Sequence, residues 1–167
     1  YTIDVYRRRI QPERDVLVYL TYVSFFPQLV AGPIERAGRL IPQLRTKRRF
    51  DEAAARDGAK QMLWGFLKKV VLADHLGEFV NQVYGGPEIH DSGPALILAT
   101  IAFAFQIYLD FSAYSDIAIG CSRMLGVDLM RNFATPYFSR SLGEFWRRWH
   151  ISLSTWFRDY VYVPLGG

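Results

Sequence analysis

Cysteine is almost missing from this sequence: Cys121 stands alone among 167 residues. That excludes an internal disulfide and any metal site built on cysteine pairs. Histidine is scarce too. His75, His90 and His150 lie far apart, without paired-ligand spacing, so no metal is expected. There is no glycine-rich phosphate loop and no G-x-S-x-G turn to expose a nucleophilic serine. Internal repeats, low-complexity tracts and flexible linkers are absent as well. The sequence does not open on methionine or on the basic, apolar and small-residue pattern of a leader. It closes on Gly166-Gly167, directly after its densest motif. Both ends read as cuts, and the chain as a fragment of a longer protein.

The most informative lack is of charge. Residues 16–34 form a run of nineteen without a charged side chain, and residues 92–109 a run of eighteen. A bilayer crossing needs about 20 apolar residues. Spans are therefore expected near 16–34 and 92–122. The first is interrupted by Pro27 and Gly32-Pro33 and is expected to break near its end. The second continues past two carboxylates, Asp110 and Asp116, to Arg123. Ionisable groups at that depth usually face a polar interior or pathway. Two alternatives stay open: that Asp110 marks the water interface, and that either carboxylate pairs with an arginine of the closing motif. Between the spans, Asp51 is placed to cap a helix over 52–84. Lys68-Lys69 and Asp74-His75 break its apolar character, so it is either a span with snorkelling lysines or an interfacial amphipathic helix. It is expected to stop at Gly85-Gly86-Pro87, with His90 in a loop of turn residues.

What the sequence does have is aromatic residues, at 16%, and clustered bases behind a net charge of +4. Arg36, Arg39, Arg45, Lys47, Arg48 and Arg49 face only Glu35 before Asp51. Beside an apolar run, such a cluster reads as a cytoplasmic loop near anionic lipid headgroups. Nucleic acid is the weaker partner, because no aromatics interleave the bases. Arg7, Arg8, Arg9 and Arg14 put positive charge on the other flank too, and leave the orientation open.

Residues 145–167, FWRRWHISLSTWFRDYVYVPLGG, combine charge, bulk and one histidine more densely than any other stretch. Ser141 and Glu144 have capping-box spacing, and a motif helix is expected over 142–163. On it Trp146, His150, Leu153 and Phe157 would share one face, and Arg148, Ser152, Thr155 and Asp159 another. A histidine on an aromatic stripe is either a satisfied core residue or a general base in a dry site. Pattern alone leaves both open. Ser154 lies four residues beyond His150, but a serine there commonly bonds back to a helix carbonyl. Asp159 falls about half a turn away and cannot orient the ring. A proton relay or transport pathway through Asp110, Asp116 and His150 remains a second reading.

Three stretches resemble one family: SFFPQLVAGPIER at 24–36, QIYLDFSAYSDIAIG at 106–120, and NFATPYFSRSLGEFWRRWHISLSTWFRDYVYVPLGG at 132–167. The chain resembles the membrane-bound O-acyltransferases (MBOAT), and within them the bacterial branch that modifies cell-surface polymers. The resemblance is nearer to the alginate O-acetylation type than to the D-alanine transfer type. It implies an all-α, polytopic fold in the bacterial cytoplasmic membrane, enclosing a tunnel. It implies transfer of an acyl group, expected to be acetyl, from a cytoplasmic thioester (acetyl-CoA or an acyl carrier) towards a polysaccharide hydroxyl outside. No bound cofactor is implied, and an extracytoplasmic partner protein is. His150 matches the histidine of the family's W-H-x-S motif, which makes it the expected catalytic residue. Trp146, Trp149, Trp156 and Phe157 would exclude water, with Asp110, Asp116 and Ser154 as further tunnel candidates. Arg147, Arg148, Arg158 and Asp159 would serve as structural charges or as sites for an anionic donor. A second family histidine normally lies in a later apolar stretch, so the fragment alone is expected to be inactive. The alternative function is a transporter or export subunit without chemistry.

Overall fold

The computed structural model describes residues 1–85 and 92–167, and all regular structure among them is helical. The expected stop at Gly86-Pro87 and the loop around His90 lie outside the described residues. Asp51 accepts from the Ala54 N–H at 3.1 Å and starts α4 (Glu52–Phe66). Two short N-terminal helices, α1 (Thr2–Tyr6) and α2 (Val16–Ser24), and α3 (Ala37–Arg45) precede it. Helix α4 passes without a break through a π-helical stretch (Leu67–Ala73) into α5 (Asp74–Gly85). The wider π turn narrows the angle between consecutive side chains. Lys68 and Lys69 can therefore both reach the same neighbouring helix.

That neighbour is α6 (Gly93–Met124), whose 32 residues make it long and apolar enough to cross a membrane. At 1.5 Å per residue it spans about 48 Å, against about 30 Å of bilayer hydrocarbon. Helices α4 and α5 run antiparallel to it. Gly58 lies against Gly120, Gly65 against Ala113 and Ile117, and Gly77 against Gln106. Farther along, the Tyr84 and Thr100 hydroxyls meet at 2.9 Å. The buried face of α6 is made of small residues, among them Ala99, Ala102, Ser112, Ala113, Ser115 and Ala118. Its large residues, including Ile97, Leu98, Ile101, Phe103 and Phe105, are exposed. Small side chains at the helix contact and bulky apolar ones outside are the pattern of packing in a membrane, where close backbone approach supplies the attraction.

Of the uncharged run 16–34, only nine residues form a helix. Asp15 caps α2 by accepting from Leu17 and Val18 at 2.9 and 3.3 Å. The helix stops at Phe25, because Pro27 has no N–H to continue the ladder and its ring would clash with the preceding turn. A 3-10 turn (Phe26–Gln28) then turns the chain aside. The run 16–34 is thus a short helix, about 14 Å long, with an irregular return, rather than one crossing helix. Behind it, Phe25, Leu40, Ile119, Val127 and Leu129 form a buried apolar cluster. Residues 125–140 therefore contribute to the core rather than merely connecting α6 to the motif. Glu35 fastens them: it pairs with Arg39 at 3.2 Å and accepts from the Met130 N–H.

The closing motif does not run as one helix over 142–163. It divides into α7 (Leu142–Arg148) and α8 (Ile151–Phe157), followed by a π turn (Arg158–Tyr162) and a 3-10 turn (Val163–Leu165). The cap is formed as expected on the serine side, with Ser141 Oγ accepting from the Glu144 N–H at 3.1 Å. Glu144 reaches back to the Arg140 N–H at 2.8 Å instead of to Ser141.

The closest approach of α4 to α6 gives a test. A Cβ on Gly58 would sit 2.5 Å from the Gly120 carbonyl oxygen, and a Cβ on Gly120 2.5 Å from that of Gly58. Backbone cannot yield as a side chain does. Gly58→Leu or Gly120→Leu in the full-length protein should lower stability by about 3 kcal/mol or more, read as a drop in Tm in detergent. Gly93→Ala, which meets nothing within 4 Å, should leave Tm unchanged.

Candidate active site

The break between α7 and α8 falls on the histidine. His150 has φ 43° and ψ 56°, in the left-handed region. A side-chain-bearing residue there costs about 1–2 kcal/mol, so surrounding contacts must hold it. They come from residues 132–134, which bracket the break on both sides. The Ala134 N–H donates to the Arg148 carbonyl at 2.9 Å, and the Ile151 N–H donates to the Asn132 carbonyl at 2.9 Å. Trp149 and His150 lie between these two bonds. The single helical face carrying Trp146, His150, Leu153 and Phe157 is therefore not formed.

The imidazole packs edge-on against Phe111 of α6 at 4.6 Å and stacks near Phe133 at 6.5 Å. Trp149 stands in the same aromatic cluster, against Phe145 at 5.5 Å, Phe133 at 5.1 Å, Tyr108 at 6.1 Å and Tyr137 at 6.2 Å. Burial pushes the His150 pKa below its ordinary value, with no neighbouring charge working against it. Burial thereby favours the neutral form of the ring, the form a proton acceptor needs. Phe133 also lines a cavity of about 770 Å³, whose walls include Tyr108, Ser115, Asp116, Lys68 and Asn132. The histidine thus stands behind one wall of a roomy polar space.

The other expected site residues are distributed as follows. Asp116 accepts from Lys68 at 2.6 Å and from Gln61 at 3.0 Å, and Lys68 also donates to Ser112 at 2.9 Å. Asp110 pairs with Lys69 at 2.7 Å. Both carboxylates are thus engaged by lysines of the π stretch, and neither bonds to the histidine or to a motif arginine. Ser154 donates its hydroxyl to the Trp149 carbonyl at 3.2 Å, which occupies it structurally. Arg148 pairs with Glu144 at 2.5 Å. Arg158 pairs with Asp159 at 2.8 Å, and Asp159 also receives Arg36 at 3.1 Å. Trp156 stacks on Tyr160 at 5.3 Å, and Trp146 is mostly exposed. Arg147, Trp146 and Ser154 line a separate groove with Arg158. Of the tryptophans named from the sequence, Trp149 packs against Phe133 beside the histidine, while Trp146 reaches the cluster only at its edge, against Phe145 at 5.5 Å. Among the described residues, no group of three or more acidic, histidine or cysteine side chains is placed to hold a metal ion.

The sequence model of the membrane-bound O-acyltransferase family, MBOAT, matches residues 12–167. The chain belongs to that family. A protein named "Probable alginate O-acetylase AlgI" from Azotobacter vinelandii is 42% identical over 169 residues, which cover all of this chain and 33% of the relative. A "Peptidoglycan O-acetyltransferase" from Helicobacter pylori is 37% identical over 90% of the chain and 29% of its own length. A "Teichoic acid D-alanyltransferase" from Streptococcus thermophilus is 33% identical over 88% of the chain and 37% of its own length. The chain spans about a third of the length of the curated relatives it matches.

In this MBOAT chain, several residues near the histidine escaped the sequence reading. Asn132 reads as a turn signal, yet it is buried to 1% exposure and accepts from Ser152. Ser152 reads as part of a separate polar stripe, and it is fully buried. The available signal was its place as the serine of W-H-x-S, which Ser154 is not. Lys68 has only 9% of its side chain exposed, and nothing local in the sequence pairs it with a residue 48 positions away.

Removing one partner of such a pair strands the other charge. Lys68→Met in the full-length protein should cost of order 3 kcal/mol, seen as a lower Tm in detergent. Adding Asp116→Leu should recover most of that loss. Equal Tm values for the single and double variants would contradict a paired, desolvated bridge.

Proposed function

We propose that the full-length protein is a membrane O-acyltransferase that moves an acyl group, acetyl in the first instance, from a thioester donor to an acceptor hydroxyl on the way towards a cell-surface polysaccharide, as in alginate O-acetylation. The observation that carries this reading is His150: an imidazole set at a left-handed break in the chain and packed against the Phe111–Phe133 pair. The names of the relatives support the reaction class and an acylated surface polymer as acceptor.

In this reading the imidazole takes the proton of the acceptor hydroxyl as its oxygen attacks the thioester carbonyl. The tetrahedral intermediate collapses, the carbon–sulfur bond breaks, and the imidazolium returns the proton to the departing thiolate. The products are an ester and a free thiol, and no external oxidant, reductant or metal enters the balance. Aromatic walls keep water from competing for the thioester. The donor is acetyl-CoA or an acyl carrier, the site lies in the bacterial cytoplasmic membrane in a multi-pass protein, and a further protein passes the acyl group on outside. The transporter reading drew on Asp110, Asp116 and His150 as a proton relay or transport pathway. Asp110 and Asp116 are both engaged by lysines, so no observation favours it.

Replacing His150 with alanine in the full-length protein should lower acyl transfer at least 100-fold at unchanged expression, measured as acetyl-thioester consumption in reconstituted vesicles. Undiminished turnover would sink the assignment. The pH profile supplies a second test. A base must be neutral to act, and burial lowers the pKa of His150. The rate should therefore rise through a midpoint below the ordinary histidine value of about 6.5 and be level at neutral pH. A midpoint above that value would contradict a desolvated, neutral base.

A further inference from the structure

The N-terminal residue of α8 poses a problem that the reaction does not explain. A helix N-cap normally lends a side-chain oxygen to the first free N–H groups, which is why serine, threonine, aspartate and asparagine are preferred there. His150 occupies the N-cap position of α8 and makes no side-chain cap bond. Its left-handed backbone also needs a restraint from outside. Both needs are met by one residue eighteen positions earlier. The Asn132 carbonyl accepts from the Ile151 N–H at 2.9 Å. Asn132 Oδ1 accepts from the Ser152 N–H at 3.4 Å and from the Ser152 hydroxyl at 2.7 Å. Asn132 Nδ2 donates to Ser115 Oγ of α6 at 3.1 Å. The amide orientation follows from the chemistry: a backbone N–H can only donate, so the oxygen must face Ser152 and the NH₂ must face α6. Asn132, Ser152 and Ser115 are 1%, 0% and 2% exposed. Water therefore cannot replace any of them.

We infer that Asn132 is the positioning residue of His150: it caps α8 in place of the histidine, leaves the imidazole free for chemistry, and anchors the break to α6 through Ser115. This rests on the catalytic reading of His150 given above. The side chain suits the task in a way few others do. It offers an acceptor towards the helix and a donor towards Ser115 without adding charge beside a ring that must stay neutral. Alanine would keep the backbone bond from Ile151 but leave Ser152 and Ser115 unsatisfied in a dry site. The break would then relax, and the ring would leave its place against the Phe111–Phe133 pair.

The test uses the full-length protein and two measurements. The first is acetyl-thioester turnover in reconstituted vesicles. The second is the rate at which diethylpyrocarbonate carbethoxylates His150, read by peptide mass spectrometry with His75 as an internal reference. Asn132→Ala should lower kcat at least tenfold while KM stays within about twofold, because the ring is misplaced and the substrates are not. It should also raise the carbethoxylation rate of His150 several-fold relative to His75, because the ring loses its walls. Ser152→Ala removes the shortest bond to Oδ1 and should change both readouts in the same direction by a smaller amount. It carries the test if Asn132→Ala does not accumulate in the membrane. A wild-type kcat with wild-type carbethoxylation at His150 would overturn the proposal while His150→Ala could still confirm catalysis. If His150→Ala proves fully active, the catalytic reading falls, and the carbethoxylation rates alone decide whether Asn132 holds the ring.

Discussion

Helix α8 starts at a residue that does not cap it, and the arrangement around the histidine follows from how that is resolved. The first N–H groups of a helix need acceptors. Here they come from Asn132, a residue of a different segment, whose carbonyl and side chain receive Ile151 and Ser152. Once that bond set is in place, His150 has no freedom to continue α7 into α8. Its left-handed backbone is the geometric result, and the strain is offset by bonds that bracket it on both sides. The ring is then directed against Phe111 and Phe133 instead of lying along a helix face.

For Asn132 to act this way, α6 must present Ser115 and Phe111 at the right height and rotation. The small-residue contact with α4 fixes that. Gly58 and Gly120 allow the two backbones to approach so closely that sliding by even one turn would drive side chains into carbonyl oxygens. The Lys68–Asp116 bridge adds a register mark on the same pair of helices. A buried ion pair is poor evidence for stability but a good device for specifying one alignment. This places the lysines and carboxylates in the scaffold. Ser115, bonded to Asn132, and Asp116, bonded to Lys68, are neighbours in sequence. The marker of helix register and the anchor of the histidine are thus adjacent on α6.

Much of this was legible in the sequence. The uncharged run 92–109 marks α6, Asp51 and Ser141 mark helix starts, and the W-H-x-S match singles out His150. These signals are local: a cap, a period, a short string. What could not be read depends on contacts across long separations. The helix over 142–163 was a sound inference from capping and periodicity. It fails because residues 132–134 compete for the backbone groups of Arg148 and Ile151, and periodicity carries no trace of that competition. Asn132 looks like a turn residue because asparagine commonly is one; only its burial against Ser152 and Ser115 shows otherwise. The lysine partners of Asp110 and Asp116 were missed for the same reason. The π turn that aims both lysines at α6 has no known local signature.

The two halves of the motif are fastened to different parts of the protein, and this explains why the break sits where it does. On one side, Arg148 is held by Ala134, and Trp149 is packed among Tyr108, Phe133 and Tyr137. On the other, Asp159 receives Arg36, whose guanidinium lies 4.7 Å from the Tyr160 ring centre. The Tyr160 hydroxyl donates to Asp4 at 2.6 Å, and Trp156 stacks on the same ring. A continuous helix would have to give up one anchorage or the other. The chain bends instead between Arg148 and Ile151, the two residues whose backbone groups are bonded by residues 132–134 from outside the motif. Left-handed geometry is more readily accepted by histidine than by the β-branched or bulky residues around it. The residue able to take the strain is therefore also the residue with a proton-accepting ring. Moving the break by one position would place Trp149 or Ile151 there, and the Phe111–Phe133 pair would have no base against it.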